Sequence, residues 1–241
     1  MLIGTLDEIE LAPEYPELAG KRVLVTGVAG PVGFDLVRAF AEARTRLVVQ
    51  ALEDGPETLA LAETIAPAAM DVRLYPGVLQ GADDMLRFAR EASQRFGGLD
   101  TVVNLAVTPE PPAGATAADI EKLVADALAM PVLATRVAAN RMRTMLAPGA
   151  IVNIVTAPRR ATPRGEMLAA IARHALASFT RTEATAAAAS GITVNAIVPA
   201  ARGAREGHVL SGAADVASLA LHLASGRGNG LSGLVFEAWC G

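Results

Sequence analysis

Short β-branched runs alternate with longer stretches of helical spacing along this chain, and that alternation limits its fold more than any other feature. The apolar runs fall at 22–26 (RVLVT), 46–51 (RLVVQA), 72–75 (VRLY), 101–105 (TVVNL), 150–155 (AIVNIV) and 192–198 (ITVNAIV), with a shorter one at 234–237 (LVFE). The first six lack the apolar–polar alternation of a strand with one wet face, so the pattern predicts strands covered by helices on both sides. Helical patterns lie between them near 32–43, 56–66, 82–96, 117–146, 165–189 and 213–225. Strands interleaved with helices need right-handed crossovers, and those lay the strands side by side and parallel. The expected fold is therefore a doubly wound α/β domain with a seven-stranded parallel sheet and helices on both faces.

Composition supports one such domain. The chain has 241 residues, 52% of them hydrophobic and 19% charged, which is enough apolar material for a core and argues against disorder. A net charge of −4 argues against nucleic acid as the main partner. No uninterrupted apolar run reaches the ~18 residues of a membrane span. The start, MLIGTLDEIELAPEYPELAGK, is acidic and lacks the basic-then-apolar order of a secretory signal. The single cysteine, Cys240, excludes an internal disulfide, and these features together predict a cytoplasmic protein. Residues 1–18 read as a surface arm and 19–241 as one domain. Pro131 falls inside the fourth helical pattern, where it should kink the helix or mark the first turn after a break. Two loops stand out, 108–116 (TPEPPAGAT) and 199–212 (PAARGAREGHVLSG).

The first strand runs into Thr26-Gly27-Val28-Ala29-Gly30-Pro31-Val32-Gly33, which opens the first helix. Glycines there allow a tight turn and let a pyrophosphate approach backbone N–H groups at a helix N-terminus. The same glycines could serve only to pack helix against strand.

VTGVAGPVG resembles the opening of a short-chain dehydrogenase/reductase, and the likeness continues through FGGLDTVVNLAV, GAIVNIVTA, GITVNAIVPA and GLSGLVFEAWCG, covering about residues 19–241. The resemblance implies a Rossmann-type fold and an NAD(P)-dependent oxidoreductase ancestry. It also implies cofactor-binding roles for Thr26, Gly27, Gly30, Gly33 and Asn104. Two registers fit the glycine turn. In one the middle glycine is replaced by Pro31; in the other Gly27, Gly30 and Gly33 fill every position. The family's ribose-reading acid near the end of the second strand corresponds to Ala51, with Glu53 following. Its Asp-Val beside adenine corresponds to Gly77-Val78, and Val107 stands where a glycine gives the cofactor room. These losses imply weak NAD or NADP binding, or none.

The family's catalytic groups are similarly depleted. ARHALASFTRTEA resembles the stretch carrying its catalytic lysine, which places Arg173 at the lysine and Ala169, four residues upstream, at the tyrosine. Thr156 falls at the serine and Ala127 near the asparagine. Alanine cannot transfer a proton, and a guanidinium with a pKa above ~12 cannot act as a general acid near neutrality. Other proton donors to weigh are His208 and Tyr75, whereas Tyr15 lies in the N-terminal arm and His174 should point to a different helix face from Arg173. The family's long closing segment after the sixth strand is reduced here to Ala200–Gly212.

These features together imply a degenerate family member: a non-catalytic, ligand-binding or scaffold subunit of a homo- or hetero-oligomer. Self-association through helices 117–146 and 165–189 is expected, with pairing to a catalytic paralogue as the second option. The alternative is a divergent NAD(P)-dependent oxidoreductase with a non-standard proton donor. Arg159, Arg160, Arg164, Arg173, Arg202 and Arg205 fall at or near the carboxyl edge of the sheet, which would suit an anionic small molecule. The competing view is that they are loop arginines in water.

Overall fold

The computed structural model describes residues 14–156, 162–198 and 213–237. Seven strands, β1 (Arg22–Val28), β2 (Arg46–Ala51), β3 (Asp71–Pro76), β4 (Thr101–Val107), β5 (Gly149–Thr156), β6 (Ile192–Ile197) and β7 (Val235–Phe236), alternate with six helices. The helices are α1 (Gly30–Glu42), α2 (Pro56–Ile65), α3 (Gly81–Gln94), α4 (Ala117–Thr144), α5 (Pro163–Ala187) and α6 (Ala213–Ala224). All strand pairs are parallel, in the order β3-β2-β1-β4-β5-β6-β7. The chain reverses its direction of travel between β1 and β4, and the crevice over their carboxyl ends is where ligands of such sheets bind.

Period-two alternation sorts each strand's side chains onto two faces. Val23 and Val25 of β1 pack with Leu36, Val37 and Phe40 of α1, Leu61 of α2 and Val216 of α6. Leu24, between them, packs on the opposite face with Phe88 of α3 and Ala134 and Ala138 of α4. The predicted two-sided cover holds for the central strands but not for β3, whose residues are half-buried or exposed. β3 is an edge strand, and an edge has a neighbour on one side only.

Pro131 does not start a new helix. α4 runs unbroken through it, with Met130, Pro131 and Ala134 buried. An interior proline costs ~3 kcal/mol or more, and burial of this side of α4 offsets that cost. Thr116 and Asp119 form a reciprocal capping box at its start. α4 also has the length and mean hydropathy of a membrane span, 1.3 over its most apolar window, of which 33% is buried. It nevertheless forms part of the layer that covers the sheet.

The end of the predicted arm is packed down. Residues Pro16–Leu18 form a 3₁₀ turn, and the Arg227 guanidinium lies 4.8 Å from the centre of the buried Tyr15 ring. Close by, Arg22 grips Asp100 through two side-chain hydrogen bonds of 2.9 and 2.7 Å and a backbone one of 2.8 Å, tying the starts of β1 and β4.

Candidate functional site

Only Ala29 separates β1 from α1, so the chain must reverse tightly. Gly27 adopts φ +73°, and a Cβ there would lie 2.2 Å from the Leu105 carbonyl oxygen. Gly30 adopts φ +60° with open space around its missing Cβ, and at Gly33 a Cβ would meet Val28 Cγ1 at 3.2 Å. Each glycine therefore has its own reason to be there. Pro31 occupies the first helical turn, where its missing N–H costs nothing. The structure thus selects the register Gly27, Gly30, Gly33. Ala29 caps no N–H with its side chain, so the first turn of α1 presents backbone donors beside the open space at Gly30. That arrangement fits a pyrophosphate.

The adjoining end of the groove is built differently. Gln50, 2% exposed, accepts a hydrogen bond from Gly27 N at 2.8 Å through Oε1. Its Nε2 donates to the carbonyls of Ala51 at 2.9 Å and Gly77 at 3.0 Å. One carboxamide thereby ties the glycine turn to the ends of β2 and β3. Ala51 is fully buried and apolar, Glu53 is exposed on the following loop, and Val78 is exposed. These residues do not fit an adenosine ribose, which needs a polar reader at the end of β2. The sequence reading passed over Gln50; a carboxamide inside an otherwise apolar buried strand was the signal available.

Thr26 and Asn104, expected at the cofactor, are both fully buried. The Thr26 hydroxyl donates to Asn104 Oδ1 at 2.9 Å, and Asn104 Nδ2 donates to Asn153 Oδ1 at 3.0 Å and Thr135 Oγ1 at 3.1 Å. Asn153 Nδ2 donates to Thr180 Oγ1 at 3.1 Å. This ladder crosses β1, β4 and β5 and reaches α4 and α5. It consumes the polar atoms of Asn104 inside the protein, so the residue shapes the sheet beneath the crevice and does not face a ligand.

At the carboxyl edge, Thr156 ends β5 half-buried, and its carbonyl accepts from both the amide and the hydroxyl of Thr108, at 2.9 and 3.0 Å. The Glu110 carboxylate accepts hydrogen bonds from the Thr162 amide at 3.2 Å and from its hydroxyl, while Thr162 Oγ1 caps Gly165 N at 3.3 Å. A Cβ at Gly165 would lie 2.4 Å from Glu110 Oε2. Glu110 thus closes the loop after β4 onto the start of α5 with a negative charge at a helix N-terminus, a favourable placement.

Farther along α5, Ala169 is buried and Arg173, one turn on, is half-buried. Burial draws Arg173 below the usual guanidinium range, while the nearby Glu166 and Glu237 carboxylates pull it back up. Arg173 therefore faces two carboxylates of its own chain. Ala127 sits half-buried on α4. Arg164 is exposed at the start of α5. Arg159, Arg160, Arg202, Arg205, His208 and Cys240, with the whole of the shortened closing segment, lie outside the described residues.

Among the described residues, neither tyrosine nor His174 is placed as a proton donor at Thr156. Tyr75 packs edge-on against Phe88, with ring centres 5.2 Å apart. Its strand, β3, lies four strand spacings from β5, roughly 19 Å at the usual strand separation. Tyr15 is buried under Arg227 at the amino edge, and burial raises its pKa. His174 is exposed, with Nδ1 2.8 Å from the Ala170 carbonyl one turn back. Among the described residues, no three histidine, cysteine, aspartate or glutamate side chains gather as a metal site.

Comparison with known proteins agrees with this geometry. The family described as short chain dehydrogenase matches residues 21–205. Galactitol 2-dehydrogenase of Agrobacterium fabrum is 30% identical over 187 residues, covering 76% of this chain and 70% of the relative. Momilactone A synthase of Oryza sativa subsp. japonica is 28% identical over 188 residues, covering 76% and 67%. A hydroxysteroid dehydrogenase from Escherichia coli superposes with a TM-score of 0.75 at 19% identity, covering 94% of this chain and 98% of that one.

Proposed function

The chain belongs to the short-chain dehydrogenase/reductase family of oxidoreductases, and from that membership we propose that it acts as a non-catalytic, ligand-binding or scaffold subunit. The observation that carries this reading is the Ala169–Arg173 pair on α5. A buried methyl group stands where the resemblance places a proton donor, and a half-buried guanidinium with the Glu166 and Glu237 charges nearby stands where it places a lysine. Reduction of a carbonyl needs a proton at oxygen as well as a hydride, and both tyrosines pack elsewhere. When bound, a nicotinamide dinucleotide would supply the hydride. Here the groove favours its pyrophosphate and disfavours its adenosine, so affinity for NAD or NADP is weak.

The partner of such a subunit is a second copy of this chain or a catalytic paralogue. Met167 and Ile171 on α5 are 47% and 43% exposed, and Leu128 of α4 and Phe179 of α5 are only half-buried. Apolar surface of this kind is normally covered in an assembly.

A second reading, a divergent NAD(P)-dependent oxidoreductase, draws on the open first turn of α1 at Gly30. Titration of NADH and NADPH by nicotinamide fluorescence separates the two. The non-catalytic reading expects no saturation below about millimolar concentration and no oxidation of either nucleotide with a panel of aldehydes and ketones. Micromolar binding with turnover would overturn it.

A further inference from the structure

Gln50 is the one polar side chain of β2 that is buried without being required by the strand itself. Its neighbours Leu47, Val48, Val49 and Ala51 satisfy the apolar interior without any polar atom. A buried carboxamide is expensive unless its donors and acceptor are all met. Here both Nε2 donors and the Oε1 acceptor have partners, at 2.8 to 3.0 Å, on three separate backbone segments. Two of these segments, the glycine turn and the end of β2, are the walls between which a Rossmann fold holds the adenosine ribose. The third, Gly77, adopts φ +98° at the end of β3, so its carbonyl is held toward the same space.

We propose that Gln50 is a specificity-determining residue whose carboxamide fills and cross-links the adenosine end of the groove, so that the chain discriminates against dinucleotides. The inference rests on the weak-cofactor reading above and supplies its cause. Gln50 takes the Gly27 amide for itself, pins the Gly77 carbonyl, and spans the gap a ribose would enter. A dinucleotide must displace the carboxamide, and displacement strands two buried backbone groups and a half-buried one at once.

The test uses the full chain and three versions of position 50: wild type, Gln50→Ala and Gln50→Glu. The alanine clears the space. The glutamate keeps the volume but turns an acceptor toward the Ala51 and Gly77 carbonyls and places a negative charge near any phosphate. Hydrogen exchange at the Gly27 amide reads the cross-link directly, and NADH fluorescence reads its consequence. Wild type should show a protected Gly27 amide. Gln50→Ala should lose that protection and bind NADH at least about tenfold more tightly than wild type. Gln50→Glu keeps an acceptor for the Gly27 amide, so it should retain that protection while gaining no affinity. Gln50→Ser reads the same way as alanine if the latter does not fold.

An unprotected Gly27 amide in wild type overturns the proposal without any variant. So does a folded Gln50→Ala or Gln50→Ser protein with no gain in NADH affinity; if wild type still binds weakly and does not turn over, the non-catalytic reading survives that result. Conversely, tight binding with turnover by wild type removes the non-catalytic reading. If the alanine variant then weakens binding, Gln50 is part of a working cofactor site and this proposal falls too.

Discussion

Glycines that look equivalent in the motif do different physical work. At Gly27 a methyl group would collide with the Leu105 carbonyl at 2.2 Å while the backbone sits at φ +73°; backbone oxygen of a central strand cannot move aside. At Gly30 only the dihedral, φ +60°, opposes a side chain. Gly27→Ala should therefore cost roughly 3 kcal/mol or more, combining strain with overpacking. Gly30→Ala should cost about 1 kcal/mol. Urea denaturation of both variants checks the contrast, and equal losses would show that close approach to β4 is not what fixes Gly27. The glycine spacing was readable from the sequence, but the choice between its two registers was not. Gly27 and Gly33 belong to both registers, so the choice rests on Gly30 at φ +60° and on Pro31 in the first helical turn. The same holds for Asn104: its identity suggested a cofactor contact, while its partners Asn153 and Thr135 place it inside the sheet.

At the scale of elements, β1 and β4 are locked at their amino ends by Arg22 and Asp100, whose side chains are 27% and 21% exposed. Burial works to raise the Asp100 carboxyl, but the hydrogen bonds from the Arg22 side chain and amide, with the charges of Arg22 and Lys21, bring it below its ordinary value. A carboxyl lowered on folding stabilises the native state fully above the unfolded value, near pH 4, and loses that contribution as pH falls through the folded one. Asp100→Asn should thus cost about 1.5–3 kcal/mol at neutral pH. The gap from wild type in melting temperature should narrow steadily below about pH 4. A gap that stays constant from pH 7 to pH 3 would contradict this. Helix and strand positions were largely legible, because period and residue type are local properties. The exceptions were β3, exposed by its edge position, and α4, which continues through Pro131 because its packing outweighs the local penalty.

For the whole molecule, the surface of α4 and α5 carries more apolar side chain than the sheet can cover. Leu128 and Phe179 are half-buried against the core, and Met167 and Ile171 stand out in water. Arg136 bridges to Glu183 at 3.1 Å and lies 5.6 Å from the Phe179 ring centre, fastening the two helices to each other. Assembly through this face should give a dimer or larger species by sedimentation at micromolar concentration. Ile171→Glu should shift it toward monomer with the far-ultraviolet spectrum unchanged. A wild-type monomer at that concentration would count against any partner of the same chain.

What the amino-acid sequence determined by itself was the alternation that makes a parallel sheet, the presence of a glycine turn at the right junction, and the absence of tyrosine from α5. Each is a matter of residue type and short spacing. Tertiary structure alone decided which glycine register operates, that Thr26 and Asn104 face inward, that Tyr75 is held on an edge strand, and that Gln50 joins three segments. The inward-facing pair and the Gln50 cross-link rest on groups 23 to 78 residues apart, Gly27 with Gln50, Asn104 with Asn153 and Thr26 with Asn104, brought within hydrogen-bond distance by parallel strand pairing.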